Sequence, residues 1–353
     1  MNSLKTTNTL LLILVIPVVF YLLKLLSFII IPLVFSMFIA LLFLPLMRWL
    51  KRKGVNKIIG IGFVILIIIG ALKIGGELIQ LTSKEILATN DVFFDKAQEK
   101  IKTLIISLES FFGIQFFEQG SIRNQIISKE SIVNNFSGTL NFIGNTVSMT
   151  LITIFFVILW LAESINVQKL MNNTILKQKH TSIKTFIKIE KDLIIFIKVK
   201  FLVSLGTGIF TGLACYFFDV SFPIFWGLFA FLINFIQMVG SFATVILLSL
   251  FAFVELDPTG NLLFFILTIT GVQVLFGSIL EPIFMGKSFS INIITVLVML
   301  MLWGFIWGVP GMIMAIPITV FIKIILEQFK ETRVIAGILS GSGDPVKFPL
   351  KKQ

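Results

Sequence analysis

Residues 9–50 form one apolar run that only two charged residues, Lys24 and Arg48, interrupt. A helix needs about 20 apolar residues to cross the roughly 30 Å hydrocarbon core of a bilayer, so a run of this length holds two crossings. A signal peptide has a shorter apolar run that ends at a small-residue cleavage site, and the sequence has no such site here. The run therefore predicts two transmembrane helices of the mature protein, joined as a tight hairpin near residues 24–32.

Further apolar segments follow along the chain at 58–80, 146–162, 194–217, 222–254, 261–280 and 290–328. The segment 222–254 would form a helix of about 50 Å at 1.5 Å per residue, which is too long for one crossing. It contains the helix-breaking sequence QMVGS, and the segment 290–328 contains GFIWGVPG. Each of these two segments is therefore predicted to be two helices, which either cross fully or form a re-entrant hairpin.

The composition decides which classes of protein remain. Of 353 residues, 57% are hydrophobic and 13% are charged, whereas soluble domains are about 45–50% apolar and about 25% charged. These values exclude an ordinary soluble enzyme, a disordered protein and a nucleic-acid-binding module. The sequence contains no P-loop, no HExxH motif and no GxSxG motif, and its single Cys215 and single His180 cannot build a zinc, haem or iron–sulfur site. We therefore expect no catalytic residue, no metal and no cofactor.

Basic residues cluster in some of the predicted loops. Residues 48–57 carry five basic and no acidic residues, residues 163–200 carry eight and three, and the tail from Lys323 carries six and three. Cytoplasmic loops of membrane proteins are enriched in Lys and Arg, so these segments and both termini are predicted to be cytoplasmic. Within the second segment, residues 177–192 predict an amphipathic helix that is attracted to anionic lipid. Nucleic acid is not an expected partner.

Residues 81–145 carry six basic and seven acidic residues and are predicted to lie on the extracytoplasmic side of the membrane. Apolar residues in this region recur at spacings of three and four, as on an amphipathic helix: Ile101, Leu104, Ile105 and Leu108. One interpretation is a helical hairpin that packs on the outer face. The other is an oligomer contact or a lid over a pore.

Four polar side chains lie inside apolar segments of the C-terminal half: Asn234, Gln237, Gln273 and Glu281. Polar groups at membrane depth are costly enough to indicate function. Asn234 and Gln237 are three residues apart and Gln273 and Glu281 are eight apart, so each pair shares a helical face. The amides of Asn234 and Gln237 either line a substrate pathway or join helices by hydrogen bonds. Glu281 either couples transport or is a solvated helix end that pairs with Lys287.

Glycine and proline residues near these side chains predict breaks in the helices. Glycine allows local unwinding or close packing, and proline removes a backbone donor. Broken helices build the substrate sites of secondary transporters, so we assign a helix-break or gating role to Gly240, Pro282, Gly304, Gly308, Pro310, Gly311 and Pro317. Plain helix packing is the alternative for the glycines. Trp303 and Trp307, four residues apart, are interpreted as an interfacial anchor rather than a gate.

Three segments carry a resemblance to a known family: FAFLINFIQMVGSFATVI (229–246), VQVLFGSILEPIFMGKS (272–288) and WGFIWGVPGMIMAIPITVFIK (303–323). With the N-terminal helix pair and the helical region before the fourth span, they resemble the autoinducer-2 exporter family, also described as the PerM-type permeases. The resemblance covers nearly the whole chain. Its motif positions are Asn234, Gly240, Gln273, Pro282, Gly286, Gly304, Gly308, Gly311 and Pro317, which adds Gly286 to the helix-break residues.

The sequence departs from the family pattern at three places. The family's Pro-Tyr dipeptide is Gln237–Met238 here, and its frequent Glu-Gly-Asn is Phe276–Gly277–Ser278, so one intramembrane carboxylate is lost. A proline common in the family is Ile293 here. A proton- or cation-coupled mechanism would therefore need Glu281 as a substitute.

The resemblance implies a secondary transporter with about eight transmembrane helices in a bacterial cytoplasmic (inner) membrane. We expect an all-α polytopic fold with broken or re-entrant segments in its C-terminal half. Along the chain, the expected parts are transmembrane helices 1–3 (residues 1–80), an extracytoplasmic helical region (81–145), helix 4 with the basic cytoplasmic helix (146–200), the C-terminal transport core (201–328) and a cytoplasmic tail (329–353).

The expected function is export of a small polar solute, which by resemblance is autoinducer-2-like. Asn234, Gln237 and Gln273 would donate and accept hydrogen bonds with the solute, and Glu281 would tune or couple transport. One alternative is a sodium/proton antiporter, in which Glu281 exchanges ions. The other is a membrane scaffold without transport. The expected partners are membrane lipid, a small polar solute or a cation, and further copies of this chain in a homo-oligomer.

Overall fold

In a computed structural model of the chain, the described residues are 2–87, 99–100, 103, 106, 149–163, 181–236, 239–256, 260–285, 292–328 and 332–340. Regular structure in these ranges is helical, and they contain no strand. Four helices of the described chain are long and apolar enough to cross a membrane, and several shorter helices are also apolar. The predicted all-α polytopic membrane fold is therefore confirmed.

The helices in chain order are α1 (Asn2–Leu25), α2 (Ser27–Arg52), α3 (Lys57–Leu87), α4 (Met149–Glu163), α5 (Thr181–Phe217), α6 (Pro223–Ile233), α7 (Val239–Glu255), α8 (Gly260–Met285), α9 (Ile293–Trp307), α10 (Val309–Gln328) and α11 (Arg333–Ser340). Leu26 alone separates α1 from α2, and these two helices contact each other. The predicted division of the first apolar run into two helices is therefore present at the expected place, and the tight hairpin itself stays a prediction.

The two longest apolar segments are each two helices, as predicted. Residues 222–254 contain α6 and α7, and residues 290–328 contain α9 and α10. Between the second pair stands Gly308, whose φ of 66° and ψ of −143° suit glycine and no other residue. With 11 residues, α6 is about 16 Å long and cannot cross the hydrocarbon core by itself.

Helix α8 changes its geometry along its length. It is α-helical over Gly260–Gln273, widens into π-helical turns over Val274–Leu280 and closes with one α-helical turn over Glu281–Met285. The sequence favours a helix end or kink at Pro282, but the helix continues past this residue. Proline lacks a backbone N–H and its ring collides with a carbonyl one turn earlier, so the irregularity that it requires lies in the preceding π-helical turns.

The chain folds into two compact units. The first unit consists of Met1–Ile65, Met149–Val199 and Phe284–Gln353, and the second consists of Leu66–Ser148 and Lys200–Ile283. In the first unit, core side chains of α2, α5 and α10 pack together, among them Phe38, Leu193 and Met314. In the second unit, α5 to α8 surround a core that includes Cys215, Trp226, Leu248, Phe265 and Ile269.

Several predicted features lie outside the described residues. They include most of the region 81–145, with the apolar positions Ile101, Leu104, Ile105 and Leu108, and the tail beyond residue 340. The basic stretch 177–192 is described from Thr181 onwards, where it forms the beginning of α5. Its attraction to anionic lipid stays a prediction.

Candidate functional site

Two oppositely charged side chains meet inside the second unit. Lys200 of α5 places its Nζ 3.0 Å from each carboxylate oxygen of Glu281, on the last turn of α8, and donates a hydrogen bond to both oxygens. Each residue is only 4% exposed. A buried charge is tolerated when an opposite charge and hydrogen bonds compensate it, and here each group provides that for the other. Glu281 is therefore not the solvated helix end that the sequence left open.

Lys200 is the residue of this site that sequence reasoning missed. It was counted among the basic charges of the predicted loop 163–200, because lysines near a helix end usually reach the membrane surface. A signal was present, since Lys200 stands within the apolar stretch LIIFIKVKFLVSL and Glu281 is the one acidic residue between positions 258 and 326. A lysine inside an apolar helix needs an acidic partner, and the sequence offered one.

The ion pair borders a cavity of about 400 Å³ in the second unit. Three of the four polar side chains predicted from the sequence line it, namely Asn234, Gln273 and Glu281. The remaining polar lining comes from Lys200 and from the hydroxyl groups of Ser241, Thr270 and Ser278. The other lining residues belong to α7 and α8: Phe242, Val245, Val274 and Gly277. The cavity is thus large enough for a small solute and offers it both hydrogen-bond donors and acceptors.

The turn between α6 and α7 places Asn234 at the cavity. Asn234 follows the last residue of α6 and donates a hydrogen bond from Nδ2 to Oγ of Ser204 on α5, at 3.1 Å. The start of α7 folds tightly against this turn, because a Cβ atom added to Gly240 would overlap the carbonyl of Ile233. Glycine at position 240 therefore permits the close approach that holds the Asn234 amide beside the cavity.

Gln273 contributes an amide without an internal partner. The residue is 5% exposed, and neither Oε1 nor Nε2 has a hydrogen-bond partner among the described residues. A buried polar group left in this state costs about 1–3 kcal/mol of stability. Native proteins contain few such groups, and a group of this kind often marks a bound water molecule, an ion or a functional site. An amide of this kind can both accept and donate hydrogen bonds, and Gln273 belongs to the residues that line the cavity.

The remaining predicted residues either lie outside the described residues or stand at other places in the described chain. Gln237, Gly286 and Lys287 lie outside the described residues. Pro282 follows Glu281 on α8, and the α9–α10 hairpin of the first unit carries Gly304, Gly308, Pro310, Gly311 and Pro317.

The two tryptophans of that hairpin are buried in protein. Their ring centroids are 4.9 Å apart, the exposed fractions are 5% for Trp303 and 7% for Trp307, and Nε1 of Trp307 donates a hydrogen bond to the carbonyl of Leu23. Side chains that anchor a protein in lipid headgroups are exposed at the membrane surface. The interfacial-anchor interpretation is therefore wrong for these residues.

Comparison with known proteins identifies the family. The family model of the AI-2E family transporters matches residues 10–331. The chain is 25% identical over 321 residues to YhhT of Escherichia coli K12, by name a candidate transport protein, with 90% of this chain and 89% of YhhT covered. It is 24% identical over 322 residues to the AI-2 transport protein TqsA of the same organism, covering 88% and 89%.

A candidate transport protein of Borreliella burgdorferi is 31% identical over 148 residues, which are 42% of this chain and 41% of that protein. The family model spans nearly the whole sequence, and the resemblance drawn from three C-terminal segments is confirmed. This chain belongs to the AI-2E family of transporters.

Proposed function

We propose that this protein is a secondary transporter that exports a small polar solute, and that the solute is autoinducer-2 or a molecule like it. The general role follows from membership of a transporter family. The solute is suggested by the name of TqsA, an AI-2 transport protein that is 24% identical to this chain. Without a P-loop in the sequence, ATP hydrolysis by this chain is not part of the proposal, and transport follows a gradient or is facilitated.

The observation that carries the proposal is the unpartnered amide of Gln273 in the cavity. Both polar atoms of the amide are buried, and the same cavity is lined by Asn234 and by three hydroxyl groups. A solute with hydroxyl or carbonyl groups would supply the partners that Gln273 lacks when the buried amide turns toward the cavity. A site built to form hydrogen bonds rejects a purely apolar molecule, because its own polar groups would stay unpaired.

The ion pair bears on the charge of the solute. Lys200 and Glu281 carry opposite charges, so the pair adds no net charge to the cavity. A site of this kind favours an uncharged polar solute over a free ion. In the alternative function, sodium/proton antiport, Glu281 must be free to bind a cation, and the hydrogen bonds from Lys200 to both of its oxygens count against this function.

The remaining expectations belong to the same proposal. The protein is a bacterial inner-membrane protein with cytoplasmic termini, it has no enzymatic activity, and it works as a homo-oligomer. Its basic stretch 177–192 binds anionic lipid at the membrane surface.

Efflux from proteoliposomes tests the function. Purified protein is reconstituted in liposomes loaded with autoinducer-2, and the signal released is measured for wild type, Gln273→Leu and Thr319→Val. Thr319 is a matched control because it is buried in α10 of the first unit and its hydroxyl already donates to the carbonyl of Ala315. We expect efflux with wild type and Thr319→Val, and little with Gln273→Leu. Release no faster than from protein-free liposomes would contradict the proposal.

A second set of liposomes addresses the antiporter alternative. They hold a pH-sensitive dye and carry an imposed sodium gradient, with wild type and Glu281→Gln compared side by side. We expect no sodium-dependent pH change with either protein. A change that disappears in Glu281→Gln would favour antiport over solute export.

A further inference from the structure

The Lys200 ammonium lies where a bound cation would lie on Glu281. Its Nζ is equally distant, at 3.0 Å, from the two carboxylate oxygens, which is the position that a single cation takes on a carboxylate bound through both oxygens. The pair is buried and both residues line the cavity. Glu281 therefore already has its positive partner, supplied by the chain itself.

Other oxygen atoms border the same space. Ser278 precedes Glu281 by three residues on α8, on the same side of the helix, and lines the cavity. Gln273 also lines the cavity, and its buried Oε1 atom has no partner among the described residues. Hydroxyl, amide and carboxylate oxygens are the ligands that hard cations prefer. If the ammonium were removed, a buried negative charge would remain beside oxygens that can complete a cation site.

We propose that the Lys200 ammonium occupies a monovalent-cation site on Glu281, so that the wild-type cavity binds no coupling ion and Lys200→Met uncovers a sodium site. An unpaired buried carboxylate is strongly unfavourable, which drives a cation into the vacated position. Solute transport by the wild type is then independent of sodium. This coupling statement rests on the proposed function, whereas the ion-binding statement does not.

Thermal unfolding in detergent tests the uncovered site. The methionine side chain is one atom shorter than lysine, so Lys200→Met keeps the apolar stem and leaves the place of Nζ empty. Wild type, Lys200→Met and Lys200→Met/Glu281→Gln are heated in rising NaCl, with ionic strength held constant by N-methyl-D-glucamine chloride. Because a ligand that binds only the folded state raises its stability, we expect Na⁺ to raise the midpoint of Lys200→Met along a saturating curve. Wild type and the double variant should not respond.

Lys198→Met is the matched control for this experiment. It is the same substitution on the same helix, two residues away, and Lys198 does not line the cavity. We expect its unfolding midpoint to be insensitive to Na⁺. A Lys200→Met protein whose midpoint does not respond to Na⁺, Li⁺ or K⁺ would overturn the proposal.

Wild-type protein gives a second measurement that does not depend on whether a variant folds. Equilibrium binding of radioactive sodium to the purified protein should show no saturable site. Saturable binding that Glu281→Gln abolishes would overturn the proposal, because Glu281 would then hold sodium in the presence of Lys200. A failure of autoinducer-2 efflux would remove the proposed function and leave this ion-binding result unchanged.

Discussion

The helix pairs α6–α7 and α9–α10 share a backbone design but differ in what they carry. In each, a long apolar run is divided at a short connection, where Gly240 packs against the preceding helix end in one pair and Gly308 takes a positive φ in the other. The first pair presents Asn234 and Ser241 to the cavity beside the Lys200–Glu281 ion pair. The second pair buries Trp303 and Trp307 against each other. A break in an apolar run thus indicates where the backbone turns, whereas the polar side chains beside it indicate a site.

The two units also differ in their ion pairs, because Lys200–Glu281 is buried whereas Arg48–Glu190 is partly exposed. Removal of one partner of the buried pair should give the largest loss of stability. Lys200→Met or Glu281→Gln leaves a buried unpaired charge or a buried unpaired donor, so we expect each to lower the free energy of unfolding by about 3–5 kcal/mol. The double variant should lose less than the sum of the two. Chemical denaturation in sodium-free detergent solution, analysed as a double-mutant cycle, measures the coupling.

The matched pair in the first unit is Arg48–Glu190, whose side chains are 40% and 20% exposed. Because water screens a pair of this kind, Arg48→Met should cost only about 0–1 kcal/mol. Equal losses for Arg48→Met and Lys200→Met would mean that burial does not distinguish the two pairs.

The glycines of the two helix pairs should give the next largest effect. Alanine at position 308 must adopt a conformation that costs about 1–3 kcal/mol, and a Cβ at position 240 would overlap the carbonyl of Ile233, with a similar cost. We expect both substitutions to lower the unfolding midpoint. Only Gly240→Ala should also weaken solute binding, because it displaces the turn that carries Asn234. Loss of solute binding in Gly308→Ala as well would contradict this difference between the pairs.

A smaller effect is expected at the hydrogen bond between Asn234 and Ser204. Ser204→Ala removes the acceptor of the Asn234 Nδ2 group, which should cost about 0.5–1.5 kcal/mol of stability. It should also lower solute affinity, since the Asn234 amide loses the contact that orients it. Thr319→Val in the first unit removes a hydroxyl bonded within its own helix and should leave affinity unchanged. Titration of both variants with the solute distinguishes these outcomes.

The smallest effect is expected at Trp303. Its Nε1 is buried without a partner among the described residues, so Trp303→Phe removes a polar group that gains nothing from its surroundings. We expect stability within about 1 kcal/mol of wild type and unchanged solute efflux. A large loss of efflux would place the α9–α10 pair in the transport path and remove the contrast with α6–α7.

Much of the fold could be predicted from local features of the sequence. The length of the first apolar run predicted its division into two helices, α1 and α2, and glycine and proline near position 308 predicted the break between α9 and α10. These features work because helix length in a membrane and the conformational freedom of glycine are local constraints. Asn234, Gln273 and Glu281 were found because polar groups in apolar segments are conspicuous.

The rest depended on contacts between distant parts of the chain. Lys200 and Glu281 are 81 residues apart, and no local pattern states that α5 and α8 place them together. Under the positive-inside rule Lys200 belongs to the loop charges, because the rule does not distinguish a buried lysine near a helix end from an exposed one. The burial of Trp303 and Trp307 was missed for a similar reason, since tertiary packing decides whether a tryptophan faces lipid or protein.

The most direct test of a solute site in the second unit is a binding titration. Autoinducer-2 is titrated into detergent-purified wild type, Gln273→Leu and Thr319→Val in a calorimeter. We expect wild type and Thr319→Val to bind with the same Kd, and Gln273→Leu to bind at least about tenfold more weakly, a loss of about 1.4 kcal/mol. Equal affinity of Gln273→Leu and wild type would contradict a solute site at this cavity.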